Sequence, residues 1–294
     1  MGNRKTRKIG GRKLGHGMRG DVYVPPLKCA EGDDTQWAST DYVSKDIHPD
    51  FLEQEYKNSF LIKELDPRGT WSITALHACT IKKSQENTNW RPGEKTHQLI
   101  FKNGGKDLYS LLLKPGFSGD SNKYINGLDD KSKEDPSVYD RLDMRGVSNV
   151  IQHLHRILPK LDILNEKYIH RDLHFGNIVT DGFTPRIIDF SSLRPVSELL
   201  KDAEKEYNSC FKLTKPNDKC MIFNIRLPML IDDAAKSKDV MALWTELYML
   251  LDSKWVKSAF QGKYTEWLQK YEDLYRFVSF RSDYINSMLY VPSD

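Results

Sequence analysis

The sequence predicts an α+β protein in two parts, a strand-rich first third and a helix-rich remainder joined near residue 103. Three observations carry this. Residues 14–45, 71–81 and 97–101 read as strands separated by turns and a polar insertion. Asn103-Gly104-Gly105 then breaks the pattern. Beyond it, Val147, Val150, Ile151, Leu154, Ile157, Leu158, Leu161 and Leu164 recur at helical spacing. A chain of 294 residues is long enough to bury a sizeable core or two.

Taken in order, residues 1–13 read as a disordered basic tail. One helix is predicted over 50–65, where Phe51, Leu52, Tyr56, Phe60, Leu61 and Leu65 recur at helical spacing. Asp50, after Pro49, is placed to cap it, and Asp66-Pro67-Arg68-Gly69 stops it. A short helix follows over 107–113. Residues 114–140, rich in Gly, Ser, Asp and Lys, read as a mobile surface insertion. Pro159 is expected to kink or split the next helix. Residues 192–238 read as irregular, with some helix over 198–207. A strongly apolar helix is predicted over 239–251, and the last forty residues read as helical and aromatic-rich.

Composition narrows the function classes. No apolar run reaches the length of a membrane span and none near the N-terminus resembles a secretory signal, so a soluble, cytoplasmic protein is expected. Cys29, Cys79, Cys210 and Cys220 form no C-x-x-C pair and are expected to be reduced thiols. Arg4, Lys5, Arg7, Lys8, Arg12 and Lys13 give the tail six cations and no acid, which leaves the remainder slightly acidic. Such an arm is suited to contact an anionic membrane, while no specific nucleic-acid binding is expected. Met1-Gly2-Asn3-Arg4-Lys5-Thr6 also fits the N-myristoylation pattern, and a lipid beside a polybasic run makes a two-signal anchor.

The chemistry concentrates in 168–191, YIHRDLHFGNIVTDGFTPRIIDFS. It contains His170-Arg171-Asp172-Leu173, then Asn177, then Asp189-Phe190. One carboxylate at this spacing suits orientation of an attacking hydroxyl; an amide and a second carboxylate suit magnesium on nucleotide phosphates. With this set the chain resembles the protein-kinase superfamily. The resemblance implies a bilobal protein-kinase-like fold, with an N-lobe over 14–102, a hinge over 103–107 and a C-lobe over 108–294. It also implies ATP and Mg2+ as cofactors and a protein hydroxyl as phosphate acceptor. Asp172 would orient the acceptor hydroxyl, and Asn177 and Asp189 would ligate the metal. His170 is expected to be structural.

Leu14-Gly15-His16-Gly17-Met18-Arg19-Gly20-Asp21-Val22 fits G-x-G-x-x-G-x-V, in which Gly15, Gly17 and Gly20 let backbone amides approach phosphates. Pro25-Pro26-Leu27-Lys28-Cys29 adds to a resemblance to atypical serine/threonine kinases of large DNA viruses. Lys45 is the expected phosphate-binding lysine, with Lys28 as the alternative. Glu55 or Glu53 on the following helix would aim it, Glu55 being favoured. The backbone of Phe101, Lys102 and Asn103 would meet the adenine edge, with Val22, Ile178 and Ile188 against the ring. Asp239 resembles the acid that caps catalytic-loop amides.

Two departures and one rival stand beside this. Ser191 follows Asp189-Phe190 where Gly is usual, and no A-P-E closes the activation segment, Leu227-Pro228-Met229 being nearest. The resemblance to haspin-like kinases, which share the lack of ordinary activation-segment features, implies no phosphorylation requirement. The form HRDLHxGN is similar to haspin-type kinases, whereas His174 also resembles small-molecule phosphotransferases. A small-molecule kinase on the same fold and a nucleotide-binding scaffold without catalysis are the alternatives.

Overall fold

The computed structural model describes residues 11–16, 20–82, 96–114, 143–198, 201, 239, 240, 242, 243 and 246. They form an α+β protein with an antiparallel sheet and a few helices. Two compact units divide the chain, one of Met1–Gly105 with Arg186–Ser191, the other of Lys106–Pro185 with Ser192–Asp294. Chain order alone had put 186–191 with the second part. Backbone bonds explain their place in the first: Ile187 N–H donates to the Trp71 carbonyl and Ile73 N–H to the Ile187 carbonyl.

The first unit is built on a five-stranded sheet of β1 (Arg12–His16), β2 (Asp21–Val24), β3 (Tyr42–Ile47), β4 (His77–Thr80) and β5 (His97–Lys102), in the order β1-β2-β3-β5-β4. Every neighbouring pair is antiparallel. Arg12 and Lys13, expected in the tail, belong to β1, where Lys13 Nζ meets Asp21 Oδ2 at 2.8 Å. Only His77–Thr80 of the strand expected over 71–81 is extended in the sheet. Trp71, Ser72 and Ile73 are instead buried in an irregular segment tied to 187. Past β4, residues 28–30 lie antiparallel beside 80–82, with Ala30 N–H donating to the Thr80 carbonyl and Lys82 N–H to the Lys28 carbonyl.

Here a sequence expectation fails. Cys29 and Cys79 are joined by a disulfide, with Cα atoms 5.7 Å apart and 50 residues between them in sequence. Spacing gave no hint because the pairing of 28–30 with 80–82, not a local motif, brings the thiols together. Cys210 and Cys220 lie outside the described residues.

Helix α1 (Pro49–Leu65) packs on this sheet. Its N-cap is His48 rather than Asp50. The imidazole accepts from Asp50 N–H, and Pro49 occupies the first turn, where a missing donor costs nothing. At its other end Asp66 organises the stop. Its carboxylate accepts from the N–H groups of Thr70, Trp71 and Ser72 and from both hydroxyls of Thr70 and Ser72. Burial alone would raise the Asp66 pKa, but these donors outweigh it and hold the carboxyl below its ordinary 3.8.

In the second unit, β6 (Lys106–Asp107) leads into α2 (Leu108–Leu112), which Asp107 caps by accepting from Ser110 N–H at 2.7 Å. Helix α3 (Met144–Asn165) continues across Pro159 as one helix, so of the expected kink or split the split does not occur. Pro159 sits on the exposed face, while Val147, Val150, Ile151, Leu154, Ile157, Leu161 and Leu164 are buried on the other and hold both halves in one helix. Gly146 lets α3 approach α2, since a Cβ there would collide with the Leu111 carbonyl. Strand β7 (Tyr168–Ile169) pairs with β10 (Arg194–Pro195), and β6 with β8 (Ile178–Thr180). Strand β9 (Pro185–Ile187) carries the chain back to the first unit. Residues 239, 240, 242, 243 and 246 are helical. Residues 1–10, 115–142, 202–238 and 247–294 lie outside the described residues. Among the described residues no helix is long and apolar enough to cross a membrane.

Replacing Asp66 by Ala strands several donors at once. Asp66→Ala is expected to cost about 3 kcal/mol in urea unfolding. Because the folded pKa is lowered, the advantage of Asp66 over an Asp66→Asn variant is present above pH 3.8 and shrinks as pH falls through the folded value.

Candidate active site

Lys45 lies in the middle of the first sheet, opposite Val22 of β2 on one side and Leu99 of β5 on the other. Its ammonium is 2.8 Å from Glu55 Oε1, 3.1 Å from Glu55 Oε2 and 2.9 Å from Asp189 Oδ1. Only 10% of the Lys45 side chain is exposed. Burial opposes the charge, but the carboxylates of Asp189 and Glu55 outweigh it and keep the Lys45 pKa above its ordinary 10.5. Glu53, the other sequence candidate, points along the exposed face of α1, and Lys28 is exposed.

Asp189 is held with φ at 58°, a region that non-glycine residues rarely adopt. The next residue is anchored by Asn58, whose Nδ2 donates to the Phe190 carbonyl at 2.8 Å. Gln54 Nε2 donates in turn to Asn58 Oδ1 at 2.8 Å and fixes that amide. Sequence reasoning missed Asn58. Its signal was available: it lies three residues after Glu55, on the same helix face.

The glycine-rich segment is described in part. Gly20 is required sterically, since a Cβ there would strike the Asp46 carbonyl, and the neighbouring Asp21 N–H donates to Asp46 Oδ1 at 2.6 Å. Gly15 lies in β1 with open space around it. Gly17 is outside the described residues. Val22 and Ile188, expected against an aromatic ring, are half-buried, whereas Ile178 is fully buried in β8. At the end of β5, Phe101 pairs with Val43 and Lys102 with Tyr42. Asn103 N–H already donates to the Asp41 carbonyl at 2.7 Å, so that donor is not available to an adenine edge as expected.

In the second unit the segment from His170 to Asn177 is shaped by the helical residues 239 and 246. Asp239, 1% exposed, accepts from His170 N–H at 2.7 Å, Arg171 N–H at 3.0 Å and Asn165 Nδ2 at 2.8 Å. Arg171 has φ at 69°, the second rare backbone of its kind. Asn177 Nδ2 donates to the Asp172 carbonyl at 2.7 Å, which leaves Oδ1 as the atom it can offer a cation. Asp172 itself is exposed. His174 caps the short turn Phe175–Asn177 by accepting from Gly176 N–H, and it stacks on Tyr109. A side chain at 176 would run into the His174 ring, which accounts for the glycine of H-x-G-N.

Glu246 was also missed. It follows Asp239 by two helical turns, accepts from Phe175 N–H at 2.7 Å and binds the Tyr109 hydroxyl. Burial pushes its pKa up to about 7, although the Tyr109 and Phe175 hydrogen bonds pull the other way. Burial and the Glu246 charge likewise raise the Tyr109 pKa.

No protein-family model matches this chain, and a search of curated proteins gives no match. The site therefore stands on its residues alone. The first unit supplies a charged lysine between two carboxylates; the second supplies an exposed carboxylate and an oriented amide. Taken unit by unit, the Asp189 carboxylate of the first and the Asn177 Oδ1 of the second are each an oxygen donor of the type that a hard cation takes.

The Glu246 shift has a pH signature. A carboxyl whose folded pKa lies above its unfolded value binds extra protons when folded, so stability falls as pH rises from 4.5 through about 7. The urea midpoint of the wild type is expected to fall over that range, and Glu246→Gln to flatten the profile.

Proposed function

We propose that this chain is an ATP- and Mg2+-dependent protein serine/threonine kinase with a bilobal kinase fold. The observation that supports the reading most is the Lys45–Glu55–Asp189 cluster. A lysine fixed by a helix carboxylate presents a positive charge of set position to nucleotide phosphates. The same ammonium lies 2.9 Å from Oδ1 of Asp189, the acid this reading assigns to the metal.

In this reading Lys45 binds phosphate oxygens and Glu55 aims it. Asn177 and Asp189 hold Mg2+, which would offset charge on the phosphates. Asp172 accepts a hydrogen bond from the acceptor hydroxyl and takes its proton as the new P–O bond forms and the bond to ADP breaks. The exposure of Asp172 suits a bulky acceptor reaching it from solvent. Asp239 and Asn58 are positioning residues, acting through the Arg171 amide and the Phe190 carbonyl.

Purified protein is expected to turn over ATP only with Mg2+. Lys45→Met, Asp172→Ala and Asp189→Asn should each lower turnover by at least about 100-fold, the scale at which single groups in such sites act. Equal turnover by the wild type and Asp172→Ala would remove the mechanism. A peptide library and a metabolite pool, each offered with labelled ATP, separate a protein kinase from a small-molecule kinase: label is expected in the peptides. Asn58→Ala is expected to reduce turnover by roughly 10- to 100-fold through misplacement of Asp189, with the fold retained by circular dichroism.

A further inference from the structure

Cys29, His77 and Cys79 each offer a ligand atom, and all of these atoms lie within 4.8 Å of one another. None belongs to the Lys45 cluster. In this structure the two sulfurs are bonded to each other. Their surroundings suit something more than a disulfide. Gln98, fully buried on β5, directs Nε2 toward Cys79 Sγ at 3.3 Å and Cys29 Sγ at 3.8 Å, while also donating to the Leu27 carbonyl at 2.7 Å. An amide donor shared by two sulfurs gains little from a neutral disulfide and much more from thiolates. The His77 ring is held by stacking on Trp37, centroids 5.9 Å apart and planes 16° from parallel. Cys29 is fixed through its N–H, which donates to Asp34 Oδ2 at 3.1 Å.

Two sulfurs and one imidazole make a donor set for a borderline-soft cation, not for Mg2+. Oriented ligands with hydrogen bonds behind them are the usual setting of such a centre. His77 and Cys79 are half-buried, so solvent reaches the cluster. We propose that the reduced chain binds one Zn2+ through Cys29, Cys79 and His77, with a water molecule in the fourth position, and that formation of the Cys29–Cys79 bond excludes the metal. The exchange balances. A dithiol reduces the disulfide to two thiols and is itself oxidised to a disulfide. Zn2+ then displaces up to two thiol protons to solvent.

The test is to reduce the full chain with a dithiol, remove the reductant anaerobically and titrate with Co2+, then with Zn2+. One Co2+ per chain is expected, with thiolate-to-cobalt charge-transfer absorption that Zn2+ abolishes and protons released on binding. The oxidised chain should show none of these. His77→Ala and Cys79→Ser should each weaken Co2+ binding by at least about 100-fold, the upper cost of changes even in the outer shell. A Cys210→Ser/Cys220→Ser double variant should bind as the wild type does. Absence of the charge-transfer band in the reduced wild type would overturn the proposal. So would unchanged affinity in His77→Ala, or loss of binding in the Cys210/Cys220 variant.

Discussion

A buried ammonium is the constraint around which the first unit is arranged. Lys45 is nearly enclosed by protein, and an uncompensated charge there would cost several kcal/mol. Two carboxylates make it tolerable, and they come from parts of the chain far apart in sequence, Glu55 on α1 and Asp189 after β9. The lysine therefore ties sheet, helix and returning segment together. Removing one carboxylate leaves the ammonium a single buried counter-charge and cuts the tie of that carboxylate's segment to β3.

Among the described non-glycine residues, the rare positive-φ backbone falls at Arg171 and Asp189, within the segments that carry the candidate chemistry. A buried side chain bonds at or beside each: Asp239 accepts from the Arg171 N–H, and Asn58 donates to the carbonyl of Phe190, next to Asp189. Backbone strain of this kind persists only where surrounding groups over-determine it. Helix α1 thus contributes twice on one face, Glu55 to the ammonium and Asn58 to the chain beside Asp189. The helical residues 239 and 246 do the same in the second unit, one gripping the turn before Asp172 and the other the turn after it.

Much of this was legible in the sequence, and the failures have physical causes. Periodicity found α1, because Phe51 through Leu65 repeat at helical spacing, and motif spacing singled out Lys45, Glu55, Asp172, Asn177 and Asp189. The helix cap was misread because an imidazole acceptor at His48 is unusual and Asp50 is a common one. Pro159 was given too much weight: an exposed proline costs one backbone bond, and seven buried apolar residues offset it. Asn58, Asp66 and Glu246 serve main-chain groups, and which main-chain groups are near is knowable only after folding. The Cys29–Cys79 bond has the same origin, a partnership made by strand pairing across 50 residues.

That pairing has a consequence for how the molecule behaves in a crowded solution. A strand at the rim of a sheet displays unsatisfied amides and carbonyls, an invitation to any stray extended chain. Residues 28–30 occupy that place alongside 80–82, and a covalent cross-link pins them there. Strand addition at that rim would first have to displace residues 28–30 against their covalent tether.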